Sequence, residues 1–454
     1  MGIFGVYGVN NAATIIYYGL HMLQHRGQEG AGIATFDKKG DYCHHRGLGL
    51  VSNVFSPSKL SQNADTIGIG STQYASGSRG GLDNVQPLCY KHKSGDFAIA
   101  GDGSLVNSRQ LSDYLENKGC IFHTSTDSEL LANLIKKESG EARIFNITNA
   151  LNMMEGGFAF VIMTKNRIYA CRDKYGIKPL CIGKLEDGYV VSSESCAFDF
   201  IGAEFIRDVE PGEIVTIDEK GLRSRQYSIF QRRKMCAMEY IYLARPDSDI
   251  DGCNVHAFRK ESGRRLFRSC PADADIVVGV PDSSLSAAMG YAEESGIPYE
   301  MGLVKNRYVA RTFIMPDQSL RERTVHIKLS AVRSIVAGKR IVLVDDSIVR
   351  GTTSIQIIEM LREAGAKEVH VRIASPMMTH PCYYGVDTST PDQLLCANRT
   401  LEEARQAIGA DSLGYLSYED TAASTSGCSE LCMACFNGEY PTTLYQCEYE
   451  QDEE

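Results

Sequence analysis

No stretch of this sequence approaches the roughly 20 consecutive apolar residues that a membrane-spanning helix requires. Its first residues also lack the charged-then-apolar build of a secretory signal. Both absences lead us to expect a cytoplasmic protein with no membrane partner. A surplus of positive charge is missing too: Lys and Arg number 47 against 57 Asp and Glu, for a net charge of -10. Nothing in that balance suits a nucleic-acid backbone, so no nucleic-acid partner is expected, while small anions remain bindable at local sites. After Met1-Gly2, the Ser or Thr that a myristoylation signal needs is replaced by Val6. The 15 cysteines are spread through 454 residues without the dense spacing of a secreted disulfide framework. Reduced thiols are expected, some of them metal ligands.

What is present divides in two. The length suits two large domains at roughly 100 to 200 residues each, and the texture changes near residue 230. Residues 1–230 carry short β-type runs broken by Gly and Asn or Asp, such as Gly68-Ile-Gly-Ser, Phe97-Ala-Ile-Ala-Gly and Tyr189-Val-Val-Ser-Ser. They predict stacked antiparallel sheets, with helices around Thr14 to Gln24 and Ser128 to Lys137. Glu210-Pro-Gly-Glu predicts a turn and one further strand. In residues 231–454, apolar runs beginning at Ala274, Arg340 and Glu368 alternate with loops and helical segments. That is the pattern of a parallel sheet covered on both faces, a doubly wound α/β fold. From about Thr421 the chain is Ser- and Cys-rich, then acidic, without periodicity.

The strongest chemical signal is Val342-Leu-Val-Asp-Asp-Ser-Ile-Val-Arg-Gly-Thr-Thr-Ser354. It reads as a buried strand, two carboxylates at its carboxyl end, a loop of small residues and a helix. In an open α/β sheet ligands bind at that end. The loop amides, hydroxyls and helix N-terminus suit a phosphate dianion, and the paired carboxylates suit ribose hydroxyls and hydrated Mg²⁺. A lone Asp-Asp is more often a helix cap; the whole combination favours a binding loop.

With these residues the sequence resembles type I phosphoribosyltransferases, and more narrowly the glutamine phosphoribosylpyrophosphate (PRPP) amidotransferase family of purine synthesis. The resemblance runs nearly end to end through Gln24-His-Arg-Gly-Gln-Glu-Gly30, Glu239-Tyr-Ile-Tyr, Arg245-Pro-Asp-Ser, Gly279-Val-Pro-Asp-Ser-Ser284, Lys305-Asn-Arg-Tyr-Val-Ala-Arg-Thr-Phe313 and Lys328-Leu-Ser-Ala-Val-Arg333. It implies an α+β N-terminal-nucleophile (Ntn) hydrolase-like αββα domain over residues 1–230, followed by an α/β type I phosphoribosyltransferase domain over residues 231–454. Ser283, Asp345 and Asp346 would form the Mg²⁺ and PRPP site. Ser347, Val349, Arg350, Gly351, Thr352 and Thr353 would hold the 5′-phosphate, and Lys305, Arg307 and Arg311 would close over the pyrophosphate. Ala310 stands where the family usually has Gly, which restricts that loop.

For the glutaminase half the resemblance implies a catalytic cysteine at the mature N-terminus, and this chain has Met1 there. A thioether cannot become a thiolate nucleophile. Gly70-Ser-Thr-Gln-Tyr74 puts neutral Gln73 in place of the arginine that clamps the substrate carboxylate. Gly101-Asp-Gly-Ser104 puts Asp102 in place of the asparagine of the oxyanion hole. Arg26 and Asp127 persist and are read as fold-retaining residues. Lys174 and Lys178 stand for the family's Pro and Arg, so the contact made by that arginine is altered at Lys178.

Cys432-Met-Ala-Cys435 has ligand-type spacing. The resemblance implies that these two, with Cys236 and Cys382, hold one 4Fe-4S cluster, and zinc is the competitor on ligand type. Cys428-x₃-Cys432-x₂-Cys435 also spells a radical-SAM signature, which fails because too little chain follows it to build a barrel. Cys43, Cys89, Cys120, Cys171, Cys181, Cys196, Cys253, Cys270, Cys396 and Cys447 are read as ordinary core or surface residues.

Three functions compete. The first is Mg²⁺-dependent transfer of phosphoribosyl from PRPP to ammonia, with glutamine hydrolysis lost and ammonia drawn from solution or a separate glutaminase. The second is a non-catalytic regulator that binds PRPP or nucleotides and associates with an active paralogue, and the third is transfer to another amine. By resemblance a homo-oligomer is expected.

Overall fold

The computed structural model describes residues 1–36, 42–56, 60, 65–74, 80–137, 142–228, 233–306, 329–388, 390–428 and 430–445. In its N-terminal half, alternation along the strands builds four layers. Phe97 and Ile99 face one core while Ala98 and Ala100 face another; on the neighbouring strand Phe158, Phe160 and Ile162 join the first core and Ala159, Val161 and Met163 the second. Successive side chains point to opposite faces of a sheet, so strands apolar on both faces must be covered twice. The small-residue face packs on Ile3, Ile69, Ile182 and Val191 of another sheet. The Phe-rich face is covered by the helices Asp127–Lys137 and Arg143–Met153. On the far side, Phe4 and Val6 of that other sheet pack on the helix Ala12–Met22.

The two sheets are antiparallel. One is ordered Glu204–Asp208, Cys181–Leu185, Gly188–Ser192, Gly2–Tyr7, Ile67–Gln73, Gly30–Phe36, Tyr42–Leu48. The other is ordered Gly221–Gln226, Glu213–Asp218, Arg167–Arg172, Gly156–Thr164, Phe97–Leu105, Leu88–Tyr90. This is the expected αββα layering. One expectation is corrected: two strands, not one, follow the Glu210-Pro-Gly-Glu turn. The second, Gly221-Leu-Arg-Ser-Arg-Gln, is a polar edge strand whose side chains are mostly in solvent, so it carries no apolar alternation to detect.

The C-terminal half is built on four parallel strands, ordered Ile276–Gly279, Arg340–Asp345, Glu368–Ile373, Ser412–Tyr415. Val278, Ile341 and Leu343 pack with Ile357, Ile358 and Leu361 of the helix Thr352–Glu363 on one face. Val277, Val342 and Val344 pack on the other with Leu266, Ala287 and Tyr291 of the helices Val255–Ser269 and Leu285–Ser295. Those two helices cross backbone to backbone: a Cβ on Gly263 would lie 1.9 Å from the Ala287 carbonyl, and one on Gly290 1.9 Å from that of Lys260. Covering both faces explains why these strands are continuously apolar, as a doubly wound sheet requires.

The C-terminal segment is more ordered than its lack of periodicity suggests. Leu431–Cys432 pairs in parallel with Met235–Cys236 at the domain junction, which places Cys432 beside Cys236. Such short elements depend on their partners rather than on local pattern. Among the described residues, no helix is long and apolar enough to cross a membrane.

Candidate functional site

Two sites stand out. In the C-terminal half, Asp345 ends the strand Arg340–Asp345 and Asp346 begins the loop before the helix Thr352–Glu363. The loop is pinned at its middle: Ile348 is buried in the sheet core, and the Val349 carbonyl accepts from Leu395 N at 2.8 Å. Gly351 takes φ 81°, a left-handed turn that lets the following residues start the helix. Thr352 and Thr353 are exposed at that helix N-terminus, with Arg350 exposed beside them.

The carboxylates are held by hydroxyls. Ser284 Oγ donates to Asp345 Oδ1 at 2.9 Å, Ser347 Oγ donates to Asp346 Oδ1 at 2.7 Å, and Ser283 Oγ donates to the other Asp346 oxygen. Burial, with the neighbouring Asp346 charge, pushes Asp345 up to about 7. Burial also raises Asp346, against the pull of the serine hydroxyls and Arg259. Lys305 reaches the rim of this site in an ion pair with Asp282. Arg307, Ala310 and Arg311 lie outside the described residues.

The second site is a cavity of about 70 Å³ between the halves, lined in part by Met1, Gln73, Asp102, Asp127 and Asp387. The structure brings the three altered positions Met1, Gln73 and Asp102 together at this one cavity. Met1 accepts a weak contact at its thioether from Gln86 Nε2, 3.7 Å away, while its amine is ion-paired with Asp102. Asp127 Oδ2 accepts from Leu105 N at 3.1 Å. Tyr74 Oη donates to Asp387 Oδ2 at 3.3 Å, so the C-terminal half closes one wall.

Beneath the cavity lies a buried ionic cluster that the sequence showed only in part. Arg26 forks onto Glu239 at 2.8 and 2.9 Å and reaches Glu194 at 2.6 Å and Asp102 at 3.4 Å. Lys178 Nζ lies 3.9 Å from Asp102 and 3.8 Å from Glu239, which is the contact left open at that position. Three cations, counting the Met1 amine, thus face three carboxylates. Burial opposes ionisation of Asp102, but Lys178, the amine and Arg26 outweigh it and hold the carboxyl well below the usual range. At Glu194 burial is likewise outweighed, by His25 and Arg26. Burial pulls the Met1 amine itself down, the Asp102 charge offsetting only part of this.

Glu239, Glu194 and Lys178 carry no motif that announces a buried pair; Glu239 stood only within the quoted Glu239-Tyr-Ile-Tyr. Arg26, read as a fold-retaining residue, also holds Asp102 of the cavity wall through this cluster. Because Glu239 belongs to the C-terminal half, the fork ties the two halves together. Glu239→Gln should destabilise the protein, by less than the roughly 3–5 kcal/mol of a buried charge left wholly unpaired, since it removes the forked partner of a buried guanidinium that keeps Glu194 and Asp102. An unchanged urea midpoint for this variant would remove that role.

The four candidate cluster cysteines come from distant segments. Cys236, Cys382 and Cys432 lie close enough to Cys435 to raise its pKa, after burial, which is the largest cause. Among the described residues, however, no group of three or more His, Cys, Asp or Glu converges as a metal-binding set. The metal assignments at Ser283, Asp345 and Asp346, and at Cys236, Cys382, Cys432 and Cys435, therefore stand on donor chemistry alone. At the aspartates the oxygens accept from serine hydroxyls. Cys447 lies outside the described residues.

Comparison with known proteins finds one matching domain in each half. A family model for a glutamine amidotransferase domain matches residues 81–199, and one for a phosphoribosyl transferase domain matches residues 262–411. The amidophosphoribosyltransferase of Bacillus subtilis is 52% identical over 452 residues, covering 98% of this chain and 94% of the relative. That of Staphylococcus aureus is 47% identical over 454 residues, covering 98% and 92%. The solved glutamine PRPP amidotransferase from B. subtilis, complexed with ADP and GMP, superposes with a TM-score of 0.93 at 51% identity, covering 98% of each chain. A second solved structure, described as the allosteric regulatory enzyme of purine biosynthesis, also superposes with a TM-score of 0.93. Shared over nearly the full length of such relatives, the sequence and the fold place this chain in the amidophosphoribosyltransferase family, enzymes of the glycosyltransferase class.

Proposed function

We propose that this chain transfers the 5-phosphoribosyl group of PRPP to ammonia in purine biosynthesis, and that its glutamine-hydrolysing half has lost its activity. The observation that carries the reading is the Asp345–Asp346 pair at the strand's carboxyl end, set over a small-residue loop at a helix N-terminus. In the reaction the bond from ribose C1 to the pyrophosphate oxygen breaks, the ammonia nitrogen bonds to C1, and that nitrogen then sheds a proton. Asp345 and Asp346 orient the ribose hydroxyls. The Ser347 to Thr353 loop holds the 5′-phosphate with amides and hydroxyls, and Lys305, Arg307 and Arg311 stabilise the departing pyrophosphate. The hard oxygens of Asp345, Asp346 and Ser283 suit Mg²⁺, which when bound neutralises pyrophosphate charge.

The loss of glutamine hydrolysis is supported by the second cavity. Met1 offers no thiol, Gln73 no cation for a substrate carboxylate, and Asp102 places an ionised carboxylate where a donor should meet an oxyanion. Ammonia then comes from solution or from a separate glutaminase. The all-sulfur set of Cys236, Cys382, Cys432 and Cys435 suits a 4Fe-4S cluster, which we assign the role of fastening the C-terminal segment. Iron, sulfide and zinc analysis of anaerobically purified protein separates that assignment from zinc.

The deciding assay follows pyrophosphate release from PRPP and Mg²⁺ with ammonium, with glutamine and with neither. Release with ammonium alone is the expected result. Release with glutamine overturns the loss of hydrolysis. Silence throughout, despite PRPP binding, replaces the transferase with a non-catalytic regulator or a transferase for another amine.

A further inference from the structure

Ser284 closes the Gly279-Val-Pro-Asp-Ser-Ser284 motif, one position past Ser283 of the transferase site. The strands Ile276–Gly279 and Arg340–Asp345 run side by side in parallel and end almost level, with Gly279 opposite Val344. Beyond Gly279 the chain turns at once: Val280 N donates to Val344 O at 2.9 Å, and Ser284 N to Val280 O at 3.3 Å. That turn sets the start of the helix Leu285–Ser295 beside the end of the neighbouring strand. Ser284 is the residue immediately before the helix, and it is fully buried, at 0% exposure.

A serine in that place normally accepts from an amide of the first helical turn and so stabilises the helix. Ser284 does not. Its backbone is already helical, at φ -89° and ψ -6°, and its side chain makes no capping bond. The hydroxyl donates instead to Asp345 Oδ1 at 2.9 Å. The same oxygen accepts from Asp346 N, also at 2.9 Å. Two donors use both acceptor positions of Oδ1, while among the described residues no group donates to Asp345 Oδ2. Asp346 is held differently, with one serine hydroxyl on each oxygen.

We propose that Ser284 is a positioning residue for the transfer, an inference that rests on the phosphoribosyl reading of this site. Its hydroxyl turns the Asp345 carboxylate so that Oδ1 is locked into the protein and Oδ2 faces the ribose hydroxyls of PRPP. The last torsion of an aspartate is broad, and a carboxylate free to swing meets a ribose diol in the right direction only part of the time. Ser284 Oγ and Asp346 N narrow that torsion before PRPP arrives, so less ordering is left for binding to impose. The serine gives up its cap to hold an acceptor for the substrate.

The test measures PRPP binding to the full-length protein by calorimetry in Mg²⁺-containing buffer, with ammonium and glutamine absent. Ser284→Ala should weaken binding about tenfold, the lower end of what one hydrogen bond to a charged group is worth. Ser284→Cys fills the same space with a weaker donor and should weaken binding too, so that the loss follows the donor and not the volume. Adding Ser284→Ala to Asp345→Ala should change affinity by less than about twofold, because the serine then has nothing to position. Wild-type affinity in Ser284→Ala or Ser284→Cys overturns the proposal. So does an undiminished loss in the Asp345→Ala background, which would mean that the serine acts by shaping the helix start. Failure of the wild type to bind PRPP, or full affinity in Asp345→Ala, defeats the phosphoribosyl reading itself and is thereby told apart from a failure confined to Ser284.

Discussion

Replacing Asp346 with asparagine is expected to lower ammonium-dependent pyrophosphate release by at least about 10²-fold, the scale on which loss of one charge-stabilising group usually acts. The substitution preserves shape: its amide oxygen can still accept from one of the two hydroxyls that hold this side chain, Ser283 or Ser347, while its amide nitrogen must donate to the other. What it removes is charge at the loop to which the proposed transfer assigns the orienting of the 5-phosphoribosyl group. Asp346 is only 7% exposed, so solvent offers little replacement for a missing carboxylate. Circular dichroism should be unchanged, because neither the loop anchors nor the sheet core depends on that charge. Activity within about threefold of wild type would mean that the carboxylate acts only as a cap, and the transferase reading would lose its main support.

The second large effect concerns the other cavity. Met1→Cys alone should leave glutamine hydrolysis at background, although it supplies a thiol. Asp102 remains ionised under the influence of Lys178, the amine and Arg26, and it faces the oxyanion that attack would generate. Gln73 still offers no charge to the substrate carboxylate. Combining Met1→Cys with Gln73→Arg and Asp102→Asn should raise hydrolysis by about 10²–10³-fold over the single variant, the typical worth of restoring an oxyanion-hole donor. Glutamate release separates the outcomes. Hydrolysis by the single variant would show that Gln73 and Asp102 are tolerated, whereas a silent triple variant would place the defect elsewhere in the cavity.

Parts of this architecture were legible because the physics is local. The parallel strands announced themselves as apolar runs, since burial on both faces leaves no room for polar alternation. The helices near Thr14 and Ser128 appeared within a few residues of their actual bounds, Ala12–Met22 and Asp127–Lys137. The polar edge strand Gly221–Gln226 escaped notice because it presents little apolar surface. Leu431–Cys432 escaped because its partner lies almost two hundred positions upstream in the chain.

The loop from Ser347 to Thr353, to which we assign the phosphate, and the altered positions Met1, Gln73 and Asp102 could be read from order and residue type. A strand–carboxylate–loop–helix unit is contiguous, and a missing nucleophile is missing in any conformation. Folding added what depends on contacts between distant segments: the Arg26 fork onto Glu239, the meeting of Lys178 with Asp102, and the pairing of Leu431–Cys432 with Met235–Cys236. A charge or a thiol far along the chain has no local signature of its partner. Its environment, and therefore its chemistry, is set only when burial brings the two together.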